Sequence, residues 1–132
     1  MIDRRPRVVR FVSAEVARLP DRTTALVELE RSTGDSYRAT AEADGSEAGR
    51  LRCVAEAAAL ALARAVRAQP PFSVDGIEIL EPFGRRSVVV AVSVRTQEFT
   101  GSLVGLCQTD HDPVNATARA VLNATNRVLG VG

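Results

Sequence analysis

The feature that most constrains this chain is an internal repeat of three strand-like segments followed by a helix-like segment. The order occurs once within residues 8–68 and again within residues 72–130. Tyr37 is matched to Phe99, and residues 64–66 to residues 127–129, at an offset of roughly 62 or 63 residues. One βββα unit of this length buries too little surface to be stable alone, so the two units must pack together. We therefore predict one α+β domain over residues 1–132, with pseudo-twofold symmetry and antiparallel sheets packed against helices.

Alternation of side-chain character predicts the strands. In residues 23–31, Ala25, Val27 and Leu29 point to one side and their neighbours to the other, which is typical of a half-buried antiparallel strand. Residues 87–96 place four valines on one face in the same way. Turns rich in Gly, Pro and Asp separate the segments. The predicted strands are residues 8–19, 23–31, 36–43, 72–81, 87–96 and 98–107.

Two Ala-rich segments, residues 47–68 and 112–129, are predicted to be helices. Asp112 is the predicted N-cap of the second helix, and Pro113 suits its first position. Cys53 is predicted to face the core, and Asn123 to bond a neighbouring backbone or a second subunit. The residues of the first helix that recur at helical spacing, and so should face the core, are Leu51, Val54, Ala58, Leu62 and Ala65.

Composition and charge argue against several classes of protein. The net charge is +1, with 17 basic residues against 16 acidic ones, so there is no overall field to attract nucleic acid or an anionic membrane. The two cysteines, Cys53 and Cys107, and the one histidine, His111, match no metal-binding spacing. No segment has the length and apolarity of a membrane span or a signal peptide. We expect a cytoplasmic protein with no cofactor, no metal and no membrane contact.

Several motifs carry a more specific resemblance. The second half contains Phe99-Thr100-Gly101, an acidic helix start at residues 109–112, and the helix ending Leu-Asn-Ala-Thr-Asn-Arg at residues 122–127. This pattern resembles the end of the C-terminal regulatory domain of isopropylmalate synthase and citramalate synthase. In that family an aromatic-x-Gly strand leads to an acidic helix start and a Leu-Asn-Ala-x-Asn-Arg/Lys ending. Residues 37–39 and 43–45 match the first unit of the family, so the resemblance covers nearly the whole chain.

The resemblance implies a dimeric domain that binds a small effector, a branched-chain amino acid, near the turns that join each third strand to its helix. The large barrel that carries the synthase activity of the family, about 250 residues or more, has no counterpart here, so we expect no enzyme activity. Such a module would regulate a partner protein in trans. The ligand-binding residues that the resemblance implies are Ala43, Asp44, Gly45, Asp110, Asp112, Pro113 and Ala116.

Three alternatives remain open. The chain could be an interaction or assembly module without a small ligand. It could bind nucleotides or nucleic acid through an Arg-rich N-terminal arm, residues 1–7, that we expect to be flexible. It could be a small enzyme in which His111, between Asp110 and Asp112, acts as a general base. We favour a solvated capping loop for His111, since no motif places a nucleophile beside it.

Overall fold

The computed structural model of the chain describes residues 9–66, 72–95, 100–109 and 112–125. Within these ranges the βββα order occurs twice, and the predicted α+β class is confirmed. The predicted arm at residues 1–7 lies outside the described residues. The elements are β1 (Val9–Arg18), β2 (Thr23–Arg31), β3 (Ser36–Ala43), α1 (Glu47–Val66), β4 (Ser73–Leu80), β5 (Ser87–Arg95), β6 (Thr100–Gln108) and α2 (Pro113–Thr125).

Each unit forms its own three-stranded antiparallel sheet, ordered β1-β2-β3 in the first unit and β4-β5-β6 in the second. The first strand of each sheet has a register shift at the same place, after Phe11 in β1 and after Val74 in β4. Phe11 pairs with Leu29, and Val74 pairs with Val92. These matching irregularities align the first two strands of the two units residue by residue.

The third strands align differently from the sequence prediction. Leu29 pairs with Tyr37, whereas Val92, its counterpart, pairs with Leu103. Tyr37 therefore corresponds to Leu103, and its predicted match to Phe99 is wrong. The physical reason is the longer β5–β6 hairpin, which delays the return of the chain to the sheet.

Both helices contact both sheets. α1 packs on β2 and β3 of its own sheet and reaches β4, while α2 packs on β5 and β6 and reaches β1. This reciprocal exchange explains the alanine content, because small side chains let a helix approach neighbours on several sides. Beyond its first turn, Arg52 and Arg64 are the exposed residues of α1. The five predicted core residues of α1 are all buried, as are Cys53 and the inward-facing residues of β2 and β5.

A close approach between helix and sheet occurs at Gly105 in β6. A Cβ atom added there would collide with the carbonyl oxygen of Ala120 and lie 2.5 Å from the amide nitrogen of Ala124. Gly105 pairs with Val90, and its counterpart in the first sheet is Ala39, which pairs with Val27. The second unit therefore needs a glycine so that α2 can lie directly on the sheet backbone.

Helix side chains satisfy backbone groups on the free edges of the sheets. Arg64 donates to the carbonyl oxygen of Arg38 in β3 at 2.5 Å, and Arg52 donates to that of Val74 in β4 at 2.9 Å. The amide of Leu106 in β6 donates to the Asn123 side chain at 3.3 Å. This is the neighbouring-backbone bond predicted for Asn123. Occupied edge groups of this kind reduce the tendency of a sheet to add strands from other chains.

Candidate ligand-binding clefts

Ser46 and Asp44 build the start of α1. The Gly49 amide donates to the Ser46 hydroxyl oxygen at 2.9 Å, so Ser46 is the N-cap. Asp44 accepts hydrogen bonds from the Ser46 hydroxyl and, at 2.9 Å, from the Ser46 amide. The bond from the Ser46 hydroxyl, and then that from its amide, hold the pKa of Asp44 below its usual value. Asp44 therefore orients the cap of the helix.

Of the three residues predicted as the first-unit ligand site, Ala43 is the half-buried last residue of β3, and Asp44 and Gly45 are exposed in the turn that follows it. None of them contributes to the walls of the two helix-start clefts described below. Their contact with a ligand stays a prediction.

The second unit places its predicted residues at the start of α2. Asp112 accepts a hydrogen bond from the Val114 amide at 3.0 Å, as expected of an N-cap, and Pro113 is the first helical residue. Pro113 and Ala116 are buried. Asp110 and His111 lie outside the described residues. Of the predicted second-unit ligand residues, Asp112 is the one that lines a helix-start cleft.

That cleft, which we call the polar cleft, has a volume of about 380 Å³ and lies between the starts of both helices and the strand β1. It combines two arginines, a carboxylate, an amide and short aliphatic side chains. Its walls are formed by Ala14, Val16 and Arg18 of β1, Arg50 of α1, and Asp112, Val114 and Asn115 at the start of α2.

Arg50 is the central charged group of the polar cleft. Its Nη1 lies 3.6 Å from Asp112 Oδ1, and its Nη2 lies 3.3 Å from Glu47 Oε1. The side chain is only 20% exposed. Its Nε is buried and has no hydrogen-bond acceptor among the described residues. The permanently charged guanidinium of Arg50 is therefore held at the wall of the polar cleft between two carboxylates.

Sequence reasoning missed Arg50 because Asp112 and the other walls of the polar cleft come from distant parts of the chain. β1, the first turn of α1 and the start of α2 meet only when the two units are packed. One local signal was available: an arginine in the first turn of a helix lies at the end where the helix dipole disfavours a cation. A residue held there against that preference is a candidate for function.

The second cleft, which we call the apolar cleft, has a volume of about 440 Å³ and lies between the first turns of α1 and the strand β4. Ile77 and Ile79 of β4 take the places that Ala14 and Val16 of β1 take in the polar cleft. The remaining walls are Glu47, Ala48, Leu51 and Arg52. The two clefts are therefore related by the pseudo-twofold axis but differ in chemistry.

Comparison with known proteins finds no matching protein-family model and no significant match to a curated protein. The resemblance to the isopropylmalate synthase regulatory domain therefore stays a prediction. Among the described residues, no group of His, Cys, Asp and Glu could hold a metal ion. In the same part of the chain, no helix has the length and apolarity needed to cross a membrane.

The other candidate groups that the structure describes contact neighbouring residues or are wholly or partly buried. Arg10 pairs with Glu30 on the neighbouring strand, with Nε and Oε1 3.0 Å apart, while Arg4, Arg5 and Arg7 lie outside the described ranges. Burial raises the pKa of the Cys53 thiol, which makes it less reactive. Cys107 is half-buried.

Proposed function

We propose that the chain is a non-catalytic, cytoplasmic regulatory module that binds a small α-amino acid in the polar cleft. The observation that carries this proposal is the half-buried guanidinium of Arg50, which lines the polar cleft together with the carboxylate of Asp112 and short aliphatic side chains. The module would act as a homodimer on a partner protein in trans. A branched-chain amino acid is the effector that the family resemblance favours.

The walls of the polar cleft suit the three parts of such a ligand. Arg50 can hold the carboxylate of the ligand through two N–H groups, and Asp112 can accept hydrogen bonds from its ammonium group. Ala14, Val16 and Val114 offer apolar surface to an aliphatic side chain. The ligand would replace the Arg50–Asp112 pair with two shorter charge pairs of its own.

The charge balance of the polar cleft favours a zwitterion. Arg18 and Arg50 contribute two positive charges, which are matched by the carboxylate of Asp112 in the wall and by that of Glu47, 3.3 Å from Arg50. The walls hold no serine, cysteine, histidine or lysine, so the described cleft offers charge recognition rather than a nucleophile. Both features support binding without chemistry.

The test is a thermal-shift panel on the full chain with leucine, isoleucine, their keto acids and nucleotides, followed by calorimetry. A ligand at a hundred times its dissociation constant should stabilise the fold by about 2.7 kcal/mol. Arg50→Gln should abolish the shift. Arg52→Gln, two residues along the same helix and outside the polar cleft, is the matched control and should retain it. No shift with any amino acid or keto acid would contradict the proposal.

A second candidate function, an assembly module, is favoured by the outer face of the β4-β5-β6 sheet. Val104 is 65% exposed there and Leu106 is 46% exposed. Their cross-strand neighbours Ala91 and Val89 extend the apolar surface across the sheet. Contiguous exposed apolar residues of this kind mark interaction surfaces.

A further inference from the structure

The apolar cleft has the dimensions and lining of a small-molecule site of its own. Its volume of about 440 Å³ falls within the range of roughly 300–1,000 Å³ found for ligand pockets. Leu51 forms a buried base, with 4% exposure, and Ile77 and Ile79 are half-buried along one wall. Water in such a cleft faces mostly aliphatic carbon, so its displacement by an apolar molecule is favourable.

The two charged groups at the apolar cleft are already paired within the protein. Arg52 Nε donates to Glu56 Oε1 at 3.1 Å, and its Nη2 donates to the Val74 carbonyl oxygen at 2.9 Å. Glu47 pairs with Arg50 at 3.3 Å. A charged ligand would have to break one of these pairs to be recognised, whereas a neutral ligand would leave them intact.

We propose that the apolar cleft is a second binding site, which takes a small neutral aliphatic molecule such as an alcohol or ester. The site does not depend on the amino-acid site of the proposed function: both clefts touch the first turns of α1, but they share no wall residue, and the apolar cleft lies against β4 whereas the polar cleft lies against β1. It also differs from the exposed apolar face of the second sheet, which Val104 and Leu106 form and which shares no residue with the cleft. A cleft of about 440 Å³ has the volume of a small-molecule pocket, so the occupant is a small molecule rather than a second copy of the chain.

The experiment is a ¹H–¹⁵N NMR titration of the full chain with 1-hexanol as the probe. We expect saturable shifts centred on residues 47–52 and 77–79. Ala48→Phe should weaken the apparent affinity at least tenfold, because Ala48 is exposed at the mouth and a ring there would fill the cleft. If phenylalanine disturbs folding, Ala48→Leu repeats the test, because leucine is a better helix former than phenylalanine.

Val104→Ser is the matched control, since it removes an exposed apolar side chain outside the apolar cleft and should leave hexanol binding unchanged. Sedimentation velocity tests whether a second copy of the chain occupies the apolar cleft instead. Non-saturable shifts, shifts centred on β5 and β6, or unchanged affinity in Ala48→Phe would each overturn the proposal. So would a dimer that dissociates in Ala48→Phe, because a second copy would then occupy the cleft.

Discussion

The two sheets have the same topology, but their outer faces differ in polarity. On the first sheet, Arg38 and Glu28 are direct cross-strand partners joined by a 3.0 Å ion pair. At the corresponding place on the second sheet the cross-strand partners are Val104 and Ala91. Because the same backbone accepts either pair, an apolar outer face is not required for folding. The difference supports the assembly role proposed above for the second sheet.

The helix-start clefts repeat this contrast on the inner side. Arg50 of α1 enters the polar cleft, whereas Ala116, at the corresponding place in α2, is buried and adds no charge to the apolar cleft. The repeat thus supplies two similar frames, and the side chains that line each frame give it its chemistry. Function in such a repeat is expected where the two units differ, because the shared residues serve the common fold.

The largest effect on the free energy of unfolding is expected at Gly105, where the helix-to-sheet distances of the two units differ. Gly105→Ala should cost about 3 kcal/mol or more, because its methyl group would meet helix backbone that cannot rotate away. The matched change in the first unit, Ala39→Gly, should cost only about 1 kcal/mol. Urea unfolding of both variants measures the difference. Equal costs would show that α2 does not rest on Gly105 as described.

An intermediate effect is expected when the ion pair of the first sheet is transplanted onto the second. The double variant Ala91→Glu and Val104→Arg should change the free energy of unfolding by no more than about 1 kcal/mol, since exposed pairs contribute little. It should reduce any self-association that the apolar face supports. The converse variant, Glu28→Ala with Arg38→Val, should promote association through the first sheet. Sedimentation velocity across a concentration series measures both, and unchanged association in both would remove the assembly role.

Most of the fold could be predicted because it depends on local patterns. The alternation in residues 23–31 and 87–96 identified the inward-facing side chains, and the Ala-rich segments identified the helices. The match of Tyr37 to Phe99 failed because the length of the β5–β6 hairpin has no local signature. The apolar outer face was also unpredictable, since Leu103 and Val104 are adjacent and alternation cannot show which of them faces outward.

The candidate site could be predicted only in part, for a related reason. Asp112 could be predicted from local capping chemistry. It lines the polar cleft because one wall of that cleft is the start of α2. Asp112 and Val16 belong to one cleft only because α2 packs across to β1, the first strand of the other unit. That crossing depends on tertiary packing between residues far apart in sequence, and no spacing within a single element encodes it.

The smallest effect is expected at the helix caps, where a hydroxyl oriented by Asp44 caps α1 and the carboxylate of Asp112 caps α2 directly. The pKa of Asp44 is lower in the folded protein than in the unfolded chain, so ionised Asp44 favours folding above its usual pKa. This contribution should be lost as the pH falls from about 4 through the lowered value. Melting temperature against pH measures it.

Asp44→Asn should flatten the acid limb of that curve, because the amide does not titrate while it still presents an oxygen to the Ser46 hydroxyl. Ser46→Ala should flatten it as well, since the hydrogen bond from the Ser46 hydroxyl lowers the pKa of Asp44 more than the bond from the Ser46 amide does. It should in addition lower the melting temperature at neutral pH, where the cap itself is lost. An acid limb equally steep in both variants and in the parent would mean that Asp44 does not contribute to the pH dependence of stability.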